Sequence, residues 1–151
     1  MESLSFENKT ILITGGYGFI MSNLINLLNE TYYNITIVNV DKCGAGSNKS
    51  NILPAAHNNR IINLHLECES DKFIKVLKEY TPDFIVHGAA ESHVDRSIQS
   101  ASEFVHTNIS GVQVLLDSIK SLNRDVRFLQ ISTDEVYGSI DKGSWNEGSP
   151  L

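Results

Sequence analysis

Residues 10–14, Thr-Ile-Leu-Ile-Thr, form a short apolar, β-branched run that breaks directly onto Gly15, Gly16, Tyr17 and Gly18. From Phe19 onward apolar residues recur at helical spacing, at Ile20, Leu24, Leu27 and Leu28. Few folds accept a strand, a glycine turn and a helix in immediate succession. A strand that is apolar throughout is buried on both faces, so helices must cover both faces of its sheet. The chain then repeats the alternation. Residues 34–40 read as a second strand ending on Asp41, and residues 61–66 as a third. Residues 73–80 read as a helix closed by Pro82, and residues 84–87 as a fourth strand running into Gly88, Ala89 and Ala90. A long helix over roughly residues 101–121 and a fifth strand over residues 126–132 complete the series. Residues 43–59, rich in Gly, Ser and Asn, read as a long irregular loop.

Helices between successive strands imply right-handed crossovers and a parallel sheet. The predicted fold is α/β: a doubly wound, Rossmann-like sheet of five strands in the order 3-2-1-4-5, in three α/β/α layers, incomplete at the C-terminus. Such a sheet takes its ligand at the carboxyl ends of the strands, where the order reverses between strands 1 and 4. The 151 residues suit one domain. A net charge of −6 offers no basic stripe for nucleic acid. No run approaches the ~18 apolar residues of a membrane helix, and Met1-Glu2-Ser3-Leu4 does not begin a signal peptide. Cys43 and Cys68 are too few for a disulfide framework or a four-ligand zinc site, and suit reduced thiols in a cytoplasmic protein. The five histidines (His57, His65, His87, His93 and His106) lack metal-ligand spacing, so no metal is expected. His93 is read as ordering a loop near the site, and the others as surface or satisfied core groups.

The glycines suggest a ligand. Gly15 permits a tight turn, and Gly18 lets the backbone approach phosphate oxygens without a Cβ in the way. The helix opening at Phe19 presents free N–H groups and a positive dipole end to a pyrophosphate. Asp41, 26 residues beyond Gly15, has the separation of the carboxylate that accepts from ribose hydroxyls. An acid there repels a 2′-phosphate and favours NAD over NADP. The neighbouring Lys42 is a cation that could meet such a phosphate.

Three further segments narrow the reading: residues 87–98 (His-Gly-Ala-Ala-Glu-Ser-His-Val-Asp-Arg-Ser-Ile), residues 107–111 (Thr-Asn-Ile-Ser-Gly) and residues 131–138 (Ile-Ser-Thr-Asp-Glu-Val-Tyr-Gly). With Thr14–Ile20 and Asn39–Lys42, they make residues 9–147 resemble the nucleoside-diphosphate-glucose 4,6-dehydratases, those acting on dTDP-glucose above all. These are lyases of the extended short-chain dehydrogenase/reductase family, in nucleotide-sugar metabolism and deoxysugar biosynthesis. The resemblance implies NAD as cofactor and a dTDP- or UDP-glucose as substrate. It also implies oxidation at C4, elimination of water across C5/C6 and hydride return to C6. The elimination needs one protonated and one ionised carboxyl. By resemblance Asp134 is the acid, Glu135 the base, and Thr133 a hydrogen-bond partner of the C4 oxygen.

The remaining implied contacts are to cofactor. Phe19 and Ile20 offer backbone amides, and Ala89 and Ala90 pass the cofactor closely. Ser92 lies near cofactor and substrate, and Thr107 on the nicotinamide side. Glu67 and Cys68 stand at the adenine pocket where the family has Asp-Ile. Gly88 replaces a leucine that packs beside the cofactor. Met21 occupies the place of a third glycine, and is expected to push the first helix away from the sheet or to find a gap. A stripe at Val105, Ile109, Val112, Leu116 and Ile119 reads either as core packing or as the homodimer helix of the family.

No tyrosine here has a lysine four residues later, the pair with which the family oxidises C4. The chain is therefore expected to be the NAD-binding, N-terminal portion of a longer enzyme lacking its substrate domain, and inactive alone. The alternatives are a related NAD-dependent epimerase or decarboxylase, or a non-catalytic NAD-binding remnant.

Overall fold

Burial sets the sheet order in the computed structural model, which describes residues 5–92 and 101–151. Strands β1 (Thr10–Thr14), β2 (Thr36–Asp41), β3 (Arg60–His65), β4 (Phe84–His87) and β5 (Arg127–Gln130) form one sheet in the order β3-β2-β1-β4-β5. Every pairing is parallel, with Leu12 opposite Val38 on one side and Ile85 on the other. The central strand β1 buries Ile11, Leu12, Ile13 and Thr14 completely, whereas the edge strands β3 and β5 alternate or lie largely exposed. A strand apolar on both faces can only be central.

The two faces carry separate cores. Ile11, Ile13, Ile25, Leu28, Ile35 and Ile37 pack under helix α1 (Phe19–Thr31). Leu12, Val38, Val40, Phe73, Leu77, Ile85 and Leu115 pack under helices α2 (Phe73–Tyr80) and α4 (Gly111–Lys120). The expected stripe on α1 is rotated: Ile20 and Leu27 are exposed, and the buried face is Met21, Ser22, Ile25, Leu28 and Asn29. The polar members of that face are satisfied locally. The Ser22 hydroxyl donates to the Phe19 carbonyl at 3.1 Å, and the Asn29 amide donates to the Pro54 carbonyl at 2.9 Å.

Residues 43–59 form the expected irregular loop, and asparagines fix its course. Asn26 donates to the Asn51 carbonyl and accepts from the Leu53 N–H, at 2.8 and 2.9 Å. Asn29 accepts from the Ala56 N–H at 2.9 Å. Buried Asn59 donates to the Asn29 and Tyr32 carbonyls and accepts from the Ile35 N–H, all at 2.9 Å. A short 3₁₀ turn, Lys49–Asn51, sits within the segment.

The expected long helix is interrupted. Helix α3 (Ala101–Val105) passes through a π turn (His106–Ser110) into α4. One extra residue in the turn rotates the faces that follow, and Thr107 and Gly111 are thereby buried. The apolar stripe divides accordingly: Val105, Ile109 and Leu116 are 50%, 62% and 45% exposed, while Leu115 enters the core.

Candidate functional site

The close approach of β1 and β4 builds the site. Gly15 adopts φ +74°, and a Cβ there would lie 2.9 Å from the Ala89 backbone, so no other residue fits the turn. The Thr14 hydroxyl accepts from the Gly88 and Ala89 N–H groups, each at 3.2 Å, and lies 2.7 Å from His87 Nδ1. With both lone pairs used, the hydroxyl proton goes to Nδ1. This assigns the His87 proton to Nε2, which is buried and unpaired among the described residues. His87 is 1% exposed and stacks near Phe128, and burial pushes its pKa down to about 4. The expectation of a satisfied core or surface histidine holds for one of its two nitrogens only. His57, His65 and His106 are exposed, and His93 lies outside the described residues.

Asparagine and aspartate pin the glycine loop from β2. Asn39 accepts from the Gly16 N–H at 3.1 Å and fills the space a Gly16 Cβ would need, while its amide donates to Asn63 at 2.9 Å. Asp41 is buried. It accepts from the Tyr17 and Cys43 N–H groups at 2.9 and 2.7 Å, and from the Ser47 hydroxyl at 2.9 Å. The loop after β2 latches back as well, with the Asn48 N–H donating to the Tyr17 carbonyl at 3.0 Å. Sequence reasoning missed Gly16, Asn39 and Ser47. The Gly44-Ala45-Gly46-Ser47 run, one residue after Asp41-Lys42, was the available signal.

Every residue read from the sequence as a cofactor contact lines one cavity of about 410 Å³. Gly15, Gly18, Phe19 and Ile20 form one wall, Asp41 and Lys42 a second, Glu67 and Cys68 a third, and Gly88, Ala89, Ala90, Ser92 and Thr107 a fourth. Helix geometry leaves the first amides of α1 without intrahelical partners, and the Gly18 cap adds no side chain over them. The Phe19 and Ile20 side chains are exposed. Burial, with Glu69 nearby, pushes the Cys68 thiol up to about 12, so that side chain is neutral. Thr107, expected on the nicotinamide side, lies with its hydroxyl 3.4 Å from Lys42 Nζ.

Lys42 reaches across the mouth to Glu91, with Nζ 2.6 Å from Oε1. Partial burial alone would lower the ammonium pKa, but the hydrogen bond and charge of Glu91, with Glu103 and Glu69 beyond, raise it above the usual lysine value. Asn108 in the π turn fixes the Glu91 backbone. It accepts from the Glu91 N–H at 2.9 Å and donates to the Glu91 carbonyl at 2.8 Å.

The two departures at Met21 and Gly88 turn out to be one. A Cβ on Gly88 would meet Met21 Cγ and Sδ at 2.6 Å. Met21 is 3% exposed and fills the volume a side chain at position 88 would take, so the gap Met21 needs is supplied by Gly88.

Thr133, Asp134 and Glu135 do not line the cavity. All three are exposed, and Asp134 and Glu135 begin a 3₁₀ turn (Asp134–Tyr137) that follows β5. The Thr133 hydroxyl donates to Glu135 Oε2 at 3.0 Å. Among the described residues no group of three His, Cys, Asp or Glu side chains could hold a metal ion. No described helix is long and apolar enough to cross a membrane.

The family model described as GDP-mannose 4,6 dehydratase matches residues 12–151. A dTDP-glucose 4,6-dehydratase of an Actinoplanes species is 44% identical over 147 residues, which span 93% of this chain and 45% of that protein. The Escherichia coli K12 dTDP-glucose 4,6-dehydratase 1 is 38% identical over 140 residues, 86% of this chain and 38% of its own. The dTDP-glucose 4,6-dehydratase of Streptomyces venezuelae, crystallised with NAD bound, superposes with a TM-score of 0.78 at 38% identity over 94% of this chain and 45% of its own. A UDP-glucose 4-epimerase of Thermotoga maritima, with UDP-glucose, follows at 0.74 and 28% over 89% of this chain and 41% of its own. The chain thus spans less than half the length of these relatives.

Two outcomes test the geometry. Met21→Gly should cost about 3 kcal/mol in urea unfolding, by loss of a buried side chain and of helix propensity. Gly88→Leu should cost about 1–3 kcal/mol by overpacking. The double variant should recover at least about 1 kcal/mol of the sum, and strictly additive costs would contradict the pairing. For His87, the unfolded chain binds a proton near pH 6.5 that the folded chain refuses until about pH 4. Stability present above pH 6.5 is therefore lost as pH falls through that window, by up to about 3 kcal/mol. His87→Asn should flatten the decline by close to one proton, and equal slopes for both proteins would exclude a buried neutral histidine.

Proposed function

From the chain's membership in the GDP-mannose 4,6-dehydratase family, to which it belongs, we propose that it is the cofactor-binding half of an NAD-dependent nucleoside-diphosphate-glucose 4,6-dehydratase. The observation that carries the reading is the convergence, on one cavity at the carboxyl ends of the strands, of a glycine turn, a bare helix N-terminus and a buried carboxylate. That combination fits a dinucleotide: pyrophosphate on the amides of Phe19 and Ile20, with Gly18 clearing the approach. The ribose falls to the acceptor capacity left on Asp41, and the base to the wall of Glu67 and Cys68. Gly88, Ala89, Ala90 and Ser92 flank the remainder. Bound NAD supplies a hydride acceptor for sugar C4 and a donor for C6.

Chemistry on the sugar is assigned to the turn after β5. Asp134 donates the proton that leaves with the C6 hydroxyl as water, Glu135 takes the C5 proton, and Thr133 holds the C4 oxygen. An epimerase shares the sheet and cavity but has no use for an acid–base pair across C5/C6, so Asp134-Glu135 favours the dehydratase. Residues 1–151 hold no tyrosine with a lysine four residues later, and are expected to form no 4-keto-6-deoxy product by themselves. The free thiols at Cys43 and Cys68 support a reducing, cytosolic setting.

NAD⁺ should raise the melting temperature in a dose-dependent way, with a stabilisation of about 2.7 kcal/mol at a hundredfold excess over Kd. Absence of any shift at millimolar NAD⁺ would defeat the reading and leave a non-binding remnant of the fold.

We also propose that Val105, Ile109 and Leu116 pair the helix with that of a second copy, since their exposed apolar surface has no partner within the described chain. Light scattering should give a dimeric mass that Ile109→Asp reduces to a monomer. A monomer in both cases would refute the pairing.

A further inference from the structure

The acid that ends β2 is followed by a lysine, and a cation at this place is the residue type that meets a 2′-phosphate on a dinucleotide. Lys42 is spoken for, however. Its ammonium lies 2.6 Å from Glu91 Oε1 and 3.4 Å from Thr107 Oγ1. Its own backbone is held in place, with the Lys42 carbonyl 2.9 Å from His65 Nε2. Glu91 is equally constrained, since Asn108 grips both its N–H and its carbonyl, and its side chain is only 13% exposed. The ion pair is therefore aimed by backbone on both sides, and not left to two free surface chains. The charges of Glu103 and Glu69 also act on the Lys42 ammonium.

We infer that Glu91 is a specificity-determining residue: by pairing with Lys42 it withholds the cation that a 2′-phosphate would use, and keeps the cavity selective for NAD over NADP. The inference rests on the dinucleotide reading of the cavity. Asp41 disfavours the phosphate by repulsion; Glu91 removes the attraction that would offset it. Two elements of the sheet, the ends of β2 and β4, then set one preference together.

Calorimetric titration with NAD⁺ and with NADP⁺ tests this on the native chain, Glu91→Gln, Lys42→Met and the Glu91→Gln/Lys42→Met double variant. The Asn108 clamp uses only the Glu91 backbone, so Glu91→Gln is expected to fold, and Glu91→Ala repeats the test should it not. Glu91→Gln should raise the NADP⁺:NAD⁺ affinity ratio roughly tenfold, about the worth of one charge-assisted hydrogen bond. Lys42→Met in that background should abolish the gain. An unchanged ratio in Glu91→Gln and Glu91→Ala, with NAD⁺ still bound, would overturn the role of Glu91 alone. A gain that persists without Lys42 would do the same, because it would reflect net charge rather than a released partner. Failure of the native chain to bind NAD⁺ would overturn the dinucleotide reading itself, and the inference with it.

Discussion

The Thr14 hydroxyl is the joint on which the site depends. It is buried at the end of the central strand, where it accepts two N–H groups from the turn after β4 and donates to His87. A parallel sheet diverges where its connections leave in opposite directions, and a ligand enters there. The crevice can be shaped only if the two departing chains are held at a fixed separation. Thr14 holds them from below, and Gly15 lets them touch, its missing Cβ being the space the Ala89 backbone occupies. The His87 Nε2, unpaired among the described residues, is a cost of this arrangement, because the ring is oriented by its other nitrogen and burial keeps it uncharged.

Asp41 performs the matching task on the other side. Three donors hold its carboxylate, two of them backbone amides, one from the glycine loop and one from the loop after β2. A carboxylate has about four acceptor positions, which leaves one for a ribose hydroxyl. The residue proposed to meet the ribose is thus also the one that shapes the glycine loop and the loop after β2. Loss of its charge would disturb all three, so the affinity change on altering Asp41 overstates its direct contact with ligand.

The sheet was legible because burial on two faces leaves a one-dimensional record: apolar runs for β1 and β4, an apolar run broken at Asn39 for β2, and polar residues interleaved in the edge strand β3. The strand order followed from the position of the glycine turn after β1. What escaped was held by contacts distant in sequence. The asparagine bonds from Asn26, Asn29 and Asn59 that order residues 43–59 join α1 to a segment about thirty residues away, and composition there resembles that of any loop. The π turn at His106–Ser110 leaves no periodic mark, since one added residue in a helix shifts the stripe without breaking it. The lining of the cavity was readable residue by residue. Glu91 and Asn108 were visible only as members of longer motifs, and their mutual grip appears only when β4 meets the helix.

Departures from a family pattern are therefore poorly judged one at a time. Met21 looked like an intrusion into helix–sheet packing and Gly88 like a lost contact, yet they occupy a single volume. The same holds for charge: Lys42 beside Asp41 looked like an invitation to phosphate, and its partner at the end of β4 cancels it. Both compensations run between the same two flanks, and the reason is geometric. With β1 and β4 already in backbone contact at Gly15 and Ala89, neither wall can move outward to absorb added bulk. Volume introduced from α1 must be removed from the end of β4, and charge introduced from β2 is neutralised there. The end of β4 is the side on which this crevice is adjusted, and the glycine loop the side that stays fixed.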